Sequence, residues 1–269
     1  MLNKLEKKDS FNGSSCRGQL WRKMIVVSVL GFSSGFPFLL SCQVIQSWFT
    51  DTGVSAQTVA VLSLVLLPYS LKFMWAPFLD RFSIFGMDKR KSWIALFQLL
   101  IFFILLTMSR VHLNKVSGQF HHGIVSVSMV LIVCSFLLAF FSASQDIVID
   151  AYRVDFLSDH ERPTGAAVTQ FSYRAGLLLA GSGVLIAEHF IGWSQAYFCA
   201  SLVMLLCLCY SIFCLPFIKN ESSPQTLFYA LSKPVLNFMN KPGSVMIILF
   251  ILLYKLSEYM VLSNNVYFL

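Results

Sequence analysis

The chain has 269 residues, of which 57% are hydrophobic and 12% are charged, and its formal net charge is +7. A soluble domain carries about a quarter charged residues, so these charges are too sparse for a water-soluble globule and the apolar excess is expected to meet lipid. The basic residues are interleaved with apolar runs and form no single face, which argues against nucleic acid as a partner.

Seven apolar segments are long enough to cross about 30 Å of hydrocarbon as helices. In chain order they cover residues 24–50, 56–79, 92–109, 123–145, 164–187, 191–218 and 243–269. The sequence therefore predicts an all-α, polytopic membrane protein with the lipid bilayer as its surroundings.

The order of these segments suggests a domain organisation. A basic N-terminal segment (1–23) precedes a six-helix unit (24–218), a linker (219–242) and a seventh helix (243–269). A six-helix unit, a linker and a new span are typical of transporters built from two halves. We expect an N-terminal transporter half followed by the first helix of a second half.

The distribution of Lys and Arg predicts the orientation. Connections on the N-terminal side of the membrane hold fifteen of these residues, and the opposite connections hold only Arg110 and Lys115. Because cytoplasmic loops are enriched in Lys and Arg, the N-terminus is expected in the cytoplasm.

Three cations, Lys72, Arg174 and Lys255, fall inside predicted spans, where charges are costly and usually face an interior cavity or a partner. Lys72 lies in the second span, and it either snorkels to the membrane surface or faces a cavity and holds an anionic solute or a carboxylate. Arg174 lies in the fifth span and stays ionised, so it needs either an acidic partner (Asp146 or Asp150) or a solute anion.

Two carboxylates lie at the end of the fourth span. Asp146 and Asp150 are four residues apart and share one helix face, with Arg153 three residues further on. Neighbouring carboxylates raise one another's pKa, as a proton-binding site requires. The alternative is a salt-bridge cluster that holds helix ends together, and a cluster that breaks and re-forms is also a gate.

The seventh span and the first span carry further candidates. Lys255 and Glu258 are three residues apart, so they either neutralise one another or leave Glu258 to carry a proton. In the first span, Gly31 and Gly35 are one turn apart, which allows close approach of a neighbouring helix, and Pro37 permits a bend.

No enzyme constellation is present in the sequence. It contains no H-E-x-x-H, no glycine-rich phosphate loop and no G-x-S-x-G motif. We predict no enzymatic activity, no cofactor and no metal site.

Several blocks of the sequence resemble the AmpG-type muropeptide permeases of the major facilitator superfamily. These are L-G-F-S-S-G-F-P at residues 30–37, Y-S-L-K-F-M-W-A-P-F-L-D-R-F at 69–82, S-A-S-Q-D-I-V-I-D-A at 142–151 and L-Y-K-L-S-E at 253–258. Eukaryotic acetyl-CoA transporters share parts of these blocks as more distant relatives.

The resemblance implies twelve spans in the bacterial inner membrane, a cavity between two halves and proton-driven import of anhydro-muropeptides. On this basis Gly35, Ala143, Gln145 and Asp146 belong to the family's shared blocks. We expect Gln145 and Asp146 in the substrate and proton pathway, and Gly35 and Ala143 in gating or packing. Asp80, Arg81 and the basic run 89–91 resemble the superfamily's cytoplasmic gate, in which the aspartate helps hold the two halves together.

The chain ends after seven predicted spans, so the resemblance implies that half of the cavity wall comes from elsewhere. Three expectations remain open. The chain is a proton-coupled transporter for muropeptides or a related anionic solute. Alternatively, it is a truncated, non-functional remnant or one part of a split transporter in which a second chain supplies the missing half. Or it transports another solute, such as a coenzyme A thioester.

Overall fold

The structure, a computed structural model, describes residues 2–53, 62–82, 88–111, 122–217, 243–250 and 253. The chain divides into two compact units, Met1–Glu221 and Ser222–Leu269. In the second unit a helix occupies residues 244–250 after Gly243, whose φ is +87°. The predicted linker, Lys255 and Glu258 lie outside the described residues.

The described part of the first unit consists of helices joined by short turns and contains no strand, which confirms the all-α prediction. The helices are α1 (Leu2–Leu39), α2 (Ile45–Asp51), α3 (Leu67–Leu71), α4 (Ala76–Arg81), α5 (Lys89–Arg110), α6 (His122–Phe156), α7 (Arg162–Leu178), α8 (Val184–Ile191) and α9 (Trp193–Cys214).

Wider π-helical turns join two pairs of these helices. Leu40–Val44 connects α1 to α2, and Leu179–Gly183 connects α7 to α8, so each pair runs on as one long element. Among the described residues, five continuous elements are long and apolar enough to cross a membrane: Gly18–Asp51, Lys89–Arg110, Ser128–Phe156, Arg162–Ile191 and Trp193–Cys214. They correspond to the first, third, fourth, fifth and sixth predicted spans.

The second predicted span differs from a regular helix over its described part, residues 62–82. It consists of a 3₁₀ turn at Leu62–Leu66, helix α3, a second 3₁₀ turn at Lys72–Met74 and helix α4. Pro68 and Pro77 stand in the first turns of α3 and α4. Because proline has no N–H and interrupts a helix interior, these residues explain the breaks.

Helices α1 and α7 pack together at glycines. A Cβ on Gly31 would lie 2.7 Å from the Thr169 carbonyl oxygen, and one on Gly35 would lie 2.3 Å from the Tyr173 carbonyl oxygen. From the other side, a Cβ on Gly176 would lie 2.6 Å from the Phe32 carbonyl oxygen. The two backbones therefore touch in a way that excludes any larger residue. We call this contact the glycine seam.

Two apolar clusters fill the space between the helices. One includes Trp48 and Phe49, Met108 and Tyr197, near the α2 end of the bundle. The other includes Ile94 from α5 together with Val26, Val148 and Tyr152. Polar residues of α1, α5 and α6 are buried beside these clusters, and they form the surroundings of the candidate site.

Candidate functional site

The centre of the site is an ion pair between the broken second span and α6. The Lys72 Nζ donates to Oδ2 of Asp146 at 2.6 Å, and the Ser34 hydroxyl donates to Oδ1 of the same carboxylate at 2.7 Å. The side chains of Lys72 and Asp146 are 40% and 24% exposed. The carboxylate is thus held on both oxygens yet is still partly accessible.

The 3₁₀ turn at Lys72–Met74 directs two side chains toward α6. Residues three apart in a 3₁₀ turn lie above one another, so Lys72 and Trp75 share one side. The Trp75 indole Nε1 donates to the Ser144 hydroxyl at 3.0 Å, and its ring contacts the ring of Phe140 with centroids 5.0 Å apart. We call the contact made by Lys72–Asp146 and Trp75–Ser144 the polar seam.

A cavity of about 190 Å³ borders the Asp146 carboxylate between α1, α6 and α7. Polar side chains dominate its lining, which consists of Ser34, Asp146, Ile149, Asp150, Arg153, Thr169, Gln170 and Tyr173. The wall contributed by α6 carries two carboxylates and one guanidinium. Such a wall can exchange protons and can hold a polar group of a solute.

Asp150 and Arg153 form a local pair on α6. The Arg153 Nη2 lies 3.0 Å from Oδ1 of Asp150, whose side chain is 51% exposed. The four-residue spacing places Asp146 and Asp150 on the same cavity, but each has its own cation. Asp146 pairs across to another element, whereas Asp150 pairs within its helix.

Arg174 does not lie where an ion pair with Asp146 or Asp150 would place it. Its side chain is exposed on α7, and no ion pair of Arg174 is found within the described part of the chain. No ion pair joins Arg174 to Asp146 or Asp150 in the described part of the chain, where these carboxylates pair with Lys72 and Arg153. Arg174 also does not belong to the residues that line the 190 Å³ cavity.

Gln145 and Ala143 are fully buried on α6, both at 0% exposure. The Gln145 amide donates to the backbone oxygen and to the hydroxyl of Ser33, each at 3.1 Å. Gln145 thus faces α1 and lies outside the lining of this cavity. The next residue, Asp146, faces the cavity because it lies about 100° further round the helix.

A second charged cluster lies where α4, α5 and α6 end or begin. The Arg90 Nη1 donates to Oδ1 of Asp80 at 2.5 Å, and its Nε donates to Oδ2 of Asp155 at 3.1 Å. One guanidinium therefore joins the end of the broken span to α6. Arg81, which the sequence placed beside Asp80 in the gate, is exposed.

The same end of the molecule carries an ion pair between α1 and the turn before α7. The Lys23 Nζ lies 2.7 Å from Oε2 of Glu161, and the Ser158 hydroxyl donates to the same oxygen at 2.6 Å. The hydrogen bonds from Lys23 and Ser158 lower the pKa of Glu161 from 4.5 to about 2. Glu161 is therefore ionised at any physiological pH.

Sequence reasoning missed several residues of these networks. Ser34 lies in the block at residues 30–37, but the block does not show which residue its hydroxyl contacts. Gln98 is a single polar residue in an apolar run, and Asp155 lies among other charged residues near a helix end. A usable signal was present for Ser33. Pro37 cannot donate to the carbonyl four residues earlier, which leaves the Ser33 oxygen free for a side-chain donor.

Comparison with known proteins agrees with this architecture. A family model described as acetyl-coenzyme A transporter 1 matches residues 24–258. The chain is 30% identical over 245 residues to an anhydromuropeptide permease of Escherichia coli, and the match covers 91% of this chain and 48% of that protein. An uncharacterised protein of Haemophilus influenzae is 32% identical over 243 residues, with 88% and 54% coverage.

The permease of Escherichia coli confirms the resemblance to AmpG-type muropeptide permeases. The chain spans about half the length of the curated relatives it matches. Its helices and its bacterial permease relatives indicate a multi-pass protein of the bacterial inner membrane. Because the family model covers most of its residues, the chain belongs to the acetyl-coenzyme A transporter 1 family of membrane proteins.

Proposed function

We propose that the chain forms one half of a proton-coupled permease that imports anhydro-muropeptides or a related anionic solute. The observation that carries this proposal is the Lys72–Asp146 ion pair beside a polar cavity within the helix bundle. The name of the Escherichia coli relative supports the solute class.

The ion pair offers a simple chemical coupling. Ionised groups among apolar helices are unfavourable unless they are paired, so Asp146 and Lys72 stabilise one another when the solute is absent. A proton that binds Asp146 removes the carboxylate charge and releases the Lys72 ammonium. The ammonium can then hold a carboxylate of the solute. Loss of the proton restores the original pair and weakens solute binding.

Other charged residues take supporting roles in the proposal. Asp150 lines the same cavity and is a second candidate proton carrier, and Arg153 neutralises it in the resting state. Arg174 is an exposed cation on α7 and would contact a solute carboxylate from outside the cavity. Glu258 and Lys255 remain candidates for the same pathway on the seventh predicted span.

The cluster of Asp80, Arg90 and Asp155 is proposed as a cytoplasmic gate, with Arg81 nearby and the N-terminus in the cytoplasm. A guanidinium shared by two carboxylates can lose one partner and keep the other, which permits movement of α4 relative to α6. The proposal includes a second half that completes the cavity, and a second chain is its proposed source. Transport would follow from rocking of the two halves.

Uptake into proteoliposomes tests the proposal. The chain is reconstituted alone and together with the second half of the Escherichia coli relative, and labelled anhydro-muropeptide uptake is measured with and without an inward proton gradient. We expect gradient-dependent uptake that is abolished by Asp146→Asn. Asp159→Asn is the matched control, because Asp159 is 89% exposed and lies outside the membrane-crossing helices.

Uptake that ignores the proton gradient would contradict the coupling. Absence of uptake in both preparations would contradict transport of this solute and would favour a non-functional remnant.

A coenzyme A thioester is the second candidate solute, and the description of the matching family model favours it. Competition separates the two candidates. If excess acetyl-coenzyme A leaves muropeptide uptake unchanged, the first candidate stands, whereas labelled acetyl-coenzyme A uptake that muropeptide does not inhibit supports the second.

A further inference from the structure

A buried polar cluster joins α1, α5 and α6 next to the ion pair. The Ser33 hydroxyl donates to the Leu30 carbonyl oxygen at 2.9 Å and accepts from the side-chain amides of Gln98 and Gln145 at 3.2 and 3.1 Å. Ser33, Gln98 and Gln145 are all 0% exposed. A hydroxyl has one proton and two lone pairs, so the Ser33 hydroxyl is fully used.

Pro37 explains why α1 can accept a further hydrogen bond from outside. In a regular helix the Ser33 carbonyl oxygen would accept from the backbone N–H of residue 37. Proline has no N–H, so this oxygen is available, and the Gln145 amide donates to it at 3.1 Å. Gln145 therefore bonds to both the carbonyl oxygen and the hydroxyl oxygen of Ser33, which fixes the register of α6 against α1.

On both α1 and α6, a residue of the polar cluster directly precedes a residue of the ion-pair site. Ser33 precedes Ser34, whose hydroxyl donates to Asp146, and Gln145 precedes Asp146 itself. Any slip of α6 along α1 would break the bonds to Ser33 and would also move the Asp146 carboxylate away from the Ser34 hydroxyl. Gln98 holds the shared hydroxyl from the third helix, α5.

The buried polar cluster lowers the stability of the fold relative to apolar residues in the same place. The side-chain oxygens of Gln98 and Gln145 are buried and have no hydrogen-bond partner in the described part of the chain. Such oxygens lower stability, and two apolar residues of similar size would pack here without that loss. Filling volume alone therefore does not account for two glutamines that converge on one serine.

We propose that Gln98 and Gln145 are positioning residues that hold Asp146 in register with Ser34 and Lys72. Their role is to keep the carboxylate where Lys72 reaches it, and neither contacts the solute. The inference rests on the proposed function in one respect, since the ion pair is its proposed proton and solute site.

Amine labelling of Lys72 tests this role without any solute. The full chain in detergent is treated briefly with acetic anhydride, and modification of Lys72 is followed by mass spectrometry. The Asp146→Asn variant gives the rate for a released amine. We expect Gln98→Met and Gln145→Met each to raise the Lys72 rate about threefold or more toward that value, because a misplaced carboxylate no longer shields the amine.

Two further comparisons make the result specific. The double variant should label no faster than the faster single variant, because both glutamines act through Ser33 and their effects do not add. Gln43→Met is the matched control, since Gln43 is an exposed glutamine on the π-helical turn that follows α1. It should leave the rate unchanged.

An unchanged Lys72 rate in folded Gln98→Met and Gln145→Met would overturn the proposal, even if both variants unfold at a lower temperature. Where a methionine variant does not fold, Ser33→Ala removes the shared hydroxyl without added bulk and carries the same expectation. The labelling does not involve transport. A failed uptake experiment would therefore contradict the proposed function only. The labelling experiment would still test the positioning role of Gln98 and Gln145.

Discussion

The glycine seam and the polar seam border the same site, but they are built in opposite ways. In the glycine seam, α1 and α7 touch backbone to backbone at Gly31, Gly35 and Gly176. In the polar seam, the proline-broken second span meets α6 through the Lys72 and Trp75 side chains. Backbone contact leaves no room for adjustment, whereas side-chain contacts can open and re-form. We therefore expect α1 and α7 to move as one body and the broken span to move relative to α6.

The largest expected effect comes from filling the glycine seam. Gly35→Leu places a side chain where even a Cβ would lie 2.3 Å from the Tyr173 carbonyl oxygen. Because this neighbour is backbone and cannot rotate away, we expect a loss of about 3 kcal/mol in the free energy of unfolding. The loss would appear as a lower midpoint of thermal unfolding in detergent.

Gly18→Leu is the control for this substitution. A Cβ on Gly18 meets nothing within 4 Å, although the residue lies on the same helix. We expect a change within about 0.5 kcal/mol. Equal effects at Gly18 and Gly35 would show that α1 and α7 are not in tight contact, and the contrast between the seams would be lost.

The next effect comes from breaking the ion pair of the polar seam. Lys72→Met leaves Asp146 ionised with Ser34 as its remaining partner, and we expect a loss of about 2 kcal/mol. The value is below that of a fully buried pair because the two side chains are 40% and 24% exposed. Thermal unfolding in detergent measures it.

The double variant Lys72→Met, Asp146→Asn separates charge from packing. Without a lone carboxylate, it should be more stable than Lys72→Met alone. If the double variant is as unstable as the sum of both single variants, the two residues do not interact, and the polar seam lacks the contact that we assign to it.

A smaller effect is expected at the other contact of the polar seam. Trp75→Phe keeps most of the ring packing against Phe140 but removes the indole donor to Ser144. We expect a loss of about 1 kcal/mol, the usual contribution of one neutral hydrogen bond. Trp21→Phe, at a side chain that is 66% exposed, should change the unfolding midpoint little. If the two variants are indistinguishable, the Trp75–Ser144 bond does not contribute.

The parts of this molecule that sequence reasoning found are those that depend on local patterns. Long apolar runs predicted the membrane-crossing helices, and a four-residue spacing placed Asp146 and Asp150 on one cavity. Pro68 and Pro77 are evident in the sequence, but the break in the second span was not predicted. A hydropathy profile does not distinguish a straight helix from a series of turns.

The sequence did not show which side chains pair with one another across different helices. Lys72 and Arg174 are both cations within spans, and nothing in the spacing told which one meets Asp146. That choice depends on how the 3₁₀ turn directs Lys72 and on how the glycine seam turns α7. Gln98 was missed for a similar reason. It is an isolated amide in an apolar run, and its role depends on a hydrogen bond to Ser33 on another helix.

The smallest effect concerns the charged contact at the end of the glycine seam, where Lys23 of α1 meets Glu161 before α7. The pKa of Glu161 is lowered from 4.5 to about 2, so its contribution to stability is complete above about pH 4.5 and is lost as the pH falls toward 2. Glu161→Gln should therefore lower the unfolding midpoint slightly at neutral pH. It should also remove the part of the stability loss between pH 4.5 and 2 that comes from protonation of Glu161. Asp159→Asn, two residues away, is the control. If both variants show the same acid profile as the unmodified chain, Lys23 and Glu161 do not tie α1 to α7, and the glycines alone hold that seam.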